Sequence, residues 1–117
     1  MPIVGNHIIV DFYGVNSHLL EKIVPLKDIV ERAIDAGGLT RISSDYFQFS
    51  PIGVSGIVLI SESHVSFHTF PEHNILTLDL YTCGEFIKLF KTYELLVRSL
   101  EPEKIKFTFL ERGEYNE

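Results

Sequence analysis

Apolar and polar residues alternate with a period of two along most of this chain, and the period lengthens to three and four in two places. In His7–Gly14 (HIIVDFYG), Ile8, Val10 and Phe12 oppose His7, Ile9, Asp11 and Tyr13, which predicts a strand with one apolar face. Asn16 or Ser17 can cap the segment after this strand. Pro25 suits only a first helical turn, and Leu26, Ile29, Val30, Ala33 and Ile34 form one stripe, so a helix is predicted over 26–36, ended by Gly37-Gly38. Residues 40–50 read as a strand on which Phe47 and Phe49 share a face, and Pro51-Ile52-Gly53 turns the chain. Ile57–Ile60 is an unbroken aliphatic run, the pattern of a strand buried on both faces or deep in a sheet. After Ser61-Glu62-Ser63 alternation resumes, with Val65, Phe67 and Thr69 against His64, Ser66, His68 and Phe70. Pro71-Glu72-His73-Asn74 is turn chemistry. Leu76, Leu78 and Leu80 then oppose Thr77, Asp79, Tyr81 and Cys83. Phe86, Leu89, Phe90, Tyr93, Leu96, Val97 and Leu100 predict a second helix, which Pro102 stops, and Ile105, Phe107 and Phe109 alternate in a last strand.

The order β-α-β-β-β-β-α-β predicts an α+β fold: an antiparallel sheet with two helices on one face, forming a two-layer sandwich. HIIVDFYG echoes LTLDLYT, each followed by a helix, which hints at an internal duplication. The face away from the helices gathers imidazole, hydroxyl, carboxylate and thiol groups, and such a face is costly to bury unless it is used or fully paired. A bare sheet face of this size invites the sheet of an identical subunit, so sheets facing each other in a homodimer are expected, with a site between them.

At 117 residues and 45% hydrophobic content, the chain suits a single domain over 1–117 with one core. No apolar run reaches the length of a membrane span and the N-terminus lacks a signal-peptide pattern, so the expectation is a cytoplasmic protein with no membrane partner. The lone Cys83 rules out an internal disulfide framework and a multi-cysteine zinc site. A net charge of −6 without a lysine or arginine stripe argues against a nucleic-acid partner; acidity mildly favours a cationic substrate but is equally what solubility produces.

The chemistry concentrates between Gly53 and Gly84. A hydrolytic triad would need Ser63 or Ser66, His68 or His64, and Asp79 or Asp11, yet no G-x-S-x-G elbow is present. A metal held by His64, His68 and His73 would need a bend, because residues four apart on a strand are too distant to share an ion; no metal is expected. Cys83 could be a nucleophile with a histidine base, or simply a small buried hydrophobe. A further reading starts from Glu62-Ser63. A serine at a sharp break between strands can have its hydroxyl held against the preceding carbonyl, and attack there converts amide to ester. β-Elimination then splits the chain and leaves a pyruvoyl group, a ketone that forms a Schiff base with a substrate amine and serves as an electron sink. Composition and spacing do not choose between this and a structural serine at a strand end.

G-V-S-G, then S-E-S-H-V-S-F-H-T-F-P-E and D-L-Y-T-C-G, resemble the prokaryotic S-adenosylmethionine decarboxylase family, as do G-N-H-I-I-V-D-F-Y near the start, Phe47-Gln48-Phe49, and E-R-G near the end. The resemblance implies an α+β protomer, a homodimer, a serine-derived pyruvoyl cofactor and a carboxy-lyase that turns S-adenosylmethionine into the aminopropyl donor for spermidine. Cleavage would fall between Glu62 and Ser63, giving 1–62 and 63–117. His68 resembles the processing base, Ser55 a residue that hydrogen-bonds the cleavage intermediate, and Cys83 the acid that returns a proton to the substrate, a role open to a thiol because it is ordinarily protonated at neutral pH. Glu72 resembles the residue that binds the ribose hydroxyls and Phe49 one that stacks on adenine. Ser63 and Cys83 would face His68, Ser55, Glu72 and Phe49 of the other subunit. Phe70, where relatives often carry an indole, and His73 are departures, and roles for His64, His73, Asp11 and Asp79 stay open. The alternatives are a pyruvoyl decarboxylase of arginine or ornithine, and a dimeric adenosyl-binding module that never cleaves itself.

Overall fold

A computed structural model describes residues 2–113. Its elements run β1 (Gly5–Tyr13), α1 (Ile23–Gly37), β2 (Arg41–Gln48), β3 (Val54–Ile60), β4 (Ser63–Phe70), β5 (Ile75–Thr82), α2 (Phe86–Leu100) and β6 (Lys104–Arg112), with 3-10 turns at Ser17–Leu19 and Pro71–His73. The predicted order and types of the main elements are therefore all present. Asn16 caps the first of the short turns by accepting from the His18 N–H, and the regular part of α1 begins at Pro25, after an extended Val24. Gly38, at φ 92°, ends α1 in the left-handed conformation that glycine adopts at no steric cost.

The strands form one antiparallel sheet in the order β2-β3-β4-β5-β1-β6. The two strands that echo each other in sequence, β1 and β5, are neighbours, with Ile9 opposite Asp79 and Asp11 opposite Thr77. Beside this pair, the β3–β4 hairpin separates β5 from β2. Ile8, Val10, Phe12, Val58, Ile60, Val65, Phe67, Leu76, Leu78 and Leu80 form one buried core with Leu26, Val30 and Ile34 of α1 and Leu89, Leu96 and Leu100 of α2. Each fully buried aliphatic or aromatic side chain contributes about 1.5–3 kcal/mol, and this face holds the two layers together. Gly56 is required by that packing: a Cβ there would lie 2.6 Å from the Phe67 ring and 2.7 Å from the Tyr46 ring. No helix among the described residues is long and apolar enough to cross a membrane.

Two details differ from the sequence reading. Val58 and Ile60 are buried, but Ile57 and Leu59 are 41% and 46% exposed, so β3 has one covered and one open face rather than two buried ones. The open face is also less polar than its sequence pattern suggests, because Ile9, Ile57, Leu59, Leu110 and Phe47 all lie exposed on it. A cluster of that kind on a free surface marks an interaction face.

Candidate active site

The register fixes what lies side by side on the open face. One row crosses the sheet as Phe47, Ser55, His68, Thr77, Asp11 and Lys106. The next runs Asp45, Ile57, Ser66, Asp79, Ile9 and Thr108, and a third carries Leu59, His64, Tyr81, His7 and Leu110. The candidate residues lie toward the two ends of the sheet.

At one end, Ile60 leads through Ser61 and Glu62 directly into Ser63, so the β3–β4 connection is two residues long. Glu62 is forced to φ 71°, a left-handed conformation that costs a non-glycine residue about 1–2 kcal/mol. The Ser63 hydroxyl rests against the carbonyl oxygen of Glu62. The Cys83 main-chain N–H points at both, 2.8 Å from Ser63 Oγ and 3.4 Å from the Glu62 oxygen. A nucleophile thus sits beside a strained peptide whose carbonyl oxygen has an N–H donor aimed at it, the local requirement for attack and for holding the charge that develops. Cys83 itself is exposed, just past the end of β5, and its Sγ lies 3.7 Å from the Tyr81 hydroxyl. That contact, more than burial, raises the Tyr81 pKa above the usual phenol value.

At the other end, Ser55 Oγ and His68 Nδ1 share a hydrogen bond of 2.7 Å across the β3–β4 pair. They line a cavity of about 450 Å³ with Asp45, Tyr46, Phe47, Gly56, Ile57 and Ser66. Phe49 lies just past β2, with its ring edge-on to Phe47 at 4.8 Å. Glu72 is exposed on the 3-10 turn that follows β4. The sequence-predicted residues therefore form two groups, Glu62, Ser63 and Cys83 at one end and Ser55, His68, Phe49 and Glu72 at the other.

The residues left open in the sequence gain partners here. Arg112 donates to His7 Nδ1 at 3.0 Å, which leaves Nε2–H of the neutral ring to donate to Asp79. Asp11 accepts from the Tyr13 hydroxyl at 3.4 Å, and His64 lies against the Tyr81 ring. No cluster of three or more His, Cys, Asp and Glu among the described residues is arranged to hold a metal ion. His7, Tyr81 and Arg112 were not singled out by sequence reasoning, since their proximity arises from β1, β5 and β6 lying adjacent; the paired Asp-x-Tyr of β1 and β5 was the only signal.

The fold and the serine turn define a class: an α+β chain in which a serine hydroxyl is held against the carbonyl of a left-handed residue before it. The family model described as S-adenosylmethionine decarboxylase matches residues 6–113. The S-adenosylmethionine decarboxylase proenzyme of Thermoplasma acidophilum is 50% identical over 111 residues, covering 95% of this chain and 85% of its own length. That of Archaeoglobus fulgidus is 46% identical, covering 95% of this chain and 99% of its own length. The crystal structure of the adenosylmethionine decarboxylase from Aquifex aeolicus superposes with a TM-score of 0.93 at 37% identity, covering 100% of this chain and 97% of that one. The chain belongs to the S-adenosylmethionine decarboxylase family.

Proposed function

We propose that this chain is the proenzyme of a pyruvoyl-dependent S-adenosylmethionine decarboxylase, processed between Glu62 and Ser63 into 1–62 and 63–117. The observation that carries this reading is the Ser63 hydroxyl held against the Glu62 carbonyl, with the Cys83 N–H directed at both. Ser63 Oγ bonds to the Glu62 carbonyl carbon as the Glu62–Ser63 C–N bond breaks and the nitrogen takes the hydroxyl proton. Relief of the left-handed Glu62 turn favours this step. A base then removes the Ser63 α-proton, the Glu62 carboxylate leaves, and water replaces the nitrogen, released as ammonia. His68 has the chemistry for that base, and its bond to the Ser55 hydroxyl orients the imidazole.

One subunit cannot supply this base to its own turn, and a homodimer with the open faces opposed brings the two ends together. The exposed Ile9, Ile57, Leu59 and Leu110 supply the apolar contact for such a dimer. The ketone at position 63 supplies the electrophile that binds a substrate amine and takes up the electrons released with carbon dioxide. Residues of this chain do the rest: Cys83 delivers the proton to the substrate carbon, Phe49 offers a ring face to adenine, and Glu72 offers acceptors to the ribose hydroxyls.

The test is release of labelled carbon dioxide from S-adenosylmethionine, arginine and ornithine by the purified protein. Release from S-adenosylmethionine alone is expected. Release from another amino acid instead would move the chain to a different substrate, and an uncut, inactive chain would leave an adenosyl-binding module.

A further inference from the structure

We propose that Tyr81 is the positioning residue for the Cys83 thiol, a clamped ring whose hydroxyl fixes where Sγ points. This rests on Cys83 being the proton donor of the reaction proposed above. A donor works only within hydrogen-bond reach of the atom it protonates, and a thiol beyond a strand end is free to turn among rotamers unless something holds it. The main chain of Cys83 is held by Ser63 and Glu62, but among the described residues the only hydrogen bond of its side chain is the 3.7 Å contact with the Tyr81 hydroxyl.

Neighbouring strands fix the Tyr81 ring. On β1, Gly5 leaves its seat open: a Cβ there would fall 2.4 Å from the Tyr81 hydroxyl oxygen and 2.7 Å from ring carbons, so a side chain at position 5 and this ring exclude each other. The Arg112 guanidinium of β6 lies 5.8 Å from the ring centroid, an attractive cation–π distance. His7 of β1 meets the ring edge-on at 5.3 Å, and His64 of β4 approaches it at 5.8 Å. His7 is itself held between Arg112 and Asp79. The charged and titratable groups around the hydroxyl are therefore Cys83, His7 with Asp79, His64 and Arg112. Tyr81 is the second-last residue of β5 and Cys83 the first residue beyond it, so the ring lies close enough for its hydroxyl to meet the sulfur. The contact is a thiol S–H donating to the Tyr81 hydroxyl oxygen, and it is the first cause of the raised phenol pKa.

Tyr81→Phe keeps the ring and removes the hydroxyl. Cys83 is the one cysteine of the sequence and is exposed, so iodoacetamide alkylation of the native protein, processed or not, reports that thiol alone. Loss of the hydroxyl that holds Sγ frees the thiol to turn among rotamers, and at a fixed pH alkylation of Tyr81→Phe is about threefold or more faster than wild type. In the processed enzyme kcat falls about tenfold while KM for S-adenosylmethionine stays put, because proton delivery changes and binding does not. Gly5→Ala, which drives the ring from its seat while leaving the hydroxyl in place on it, gives the same alkylation change. An alkylation rate equal to that of wild type in either folded variant overturns the proposal. A changed alkylation rate in a protein that decarboxylates nothing removes the reaction proposed for Cys83 and leaves the Tyr81–Cys83 link standing.

Discussion

Ser63 and His68 lie on the same strand, five residues apart, and so on opposite sides of it. Five steps along β4 span about 16 Å, so a single subunit holds the Glu62–Ser63 bond and the His68 imidazole at two ends of one sheet. On the proposed mechanism, with His68 as the base, a complete site requires a second copy. Co-expression of Ser63→Ala with His68→Ala tests this: neither variant processes itself alone, while in mixed dimers the His68→Ala chain meets an intact His68 and is cut. Mass spectrometry that finds only full-length chains in the mixture rejects the shared site.

Leu59 is half exposed on the open face while its neighbours Val58 and Ile60 are buried in the core. Leu59→Lys puts a charge where the second sheet would lie and leaves the helix side untouched. Light scattering is expected to give a monomer with an unchanged circular dichroism spectrum, and self-cleavage is expected to fail with the dimer. A Leu59→Lys chain that remains dimeric puts the interface elsewhere.

Cys83 offers two separate groups, a main-chain N–H to the peptide carbonyl and a thiol beyond it. Cys83→Ala keeps the first and removes the second, so cleavage persists while turnover falls by about 10²–10⁴. Fragment yield on a denaturing gel and the carbon dioxide assay read the two effects independently, and an unaltered decarboxylation rate removes the thiol from the mechanism.

Phe67 is fully buried at the centre of the sheet, with its ring over Gly56. Phe67→Ala is expected to cost about 3–5 kcal/mol in urea unfolding. Gly56→Ala also destabilises, because its methyl group meets both the Phe67 and Tyr46 rings. A Gly56→Ala chain as stable as wild type contradicts this close approach of rings to backbone.

Much of this was legible in the sequence because two periods carry it. The strict alternation Val65, Phe67, Thr69 against His64, Ser66, His68 gave the correct buried side of β4, and the stripe through Leu89, Leu96 and Leu100 gave that of α2. The aliphatic run Ile57–Ile60 misled, because continuous hydrophobicity looks the same whether the second face meets its own chain or nothing in the protomer. The motif around Glu62-Ser63 could be read, but its left-handed turn comes from the tight β3–β4 pairing and the Cys83 N–H aimed at its carbonyl from β5 lying beside β4, neither of which spacing encodes. The ring cluster of Tyr81, His7 and Arg112 was hidden for the same reason: its members are far apart in the chain and meet only through strand order.

The most direct measurement is the intact mass of the purified, denatured wild-type protein, taken with and without borohydride, beside Ser63→Ala. Wild type is predicted to give residues 1–62 and 63–117 as separate species, the second gaining two hydrogens on reduction of its terminal ketone, while Ser63→Ala stays whole. A wild-type chain that remains a single unreducible species while releasing carbon dioxide from S-adenosylmethionine would contradict the account.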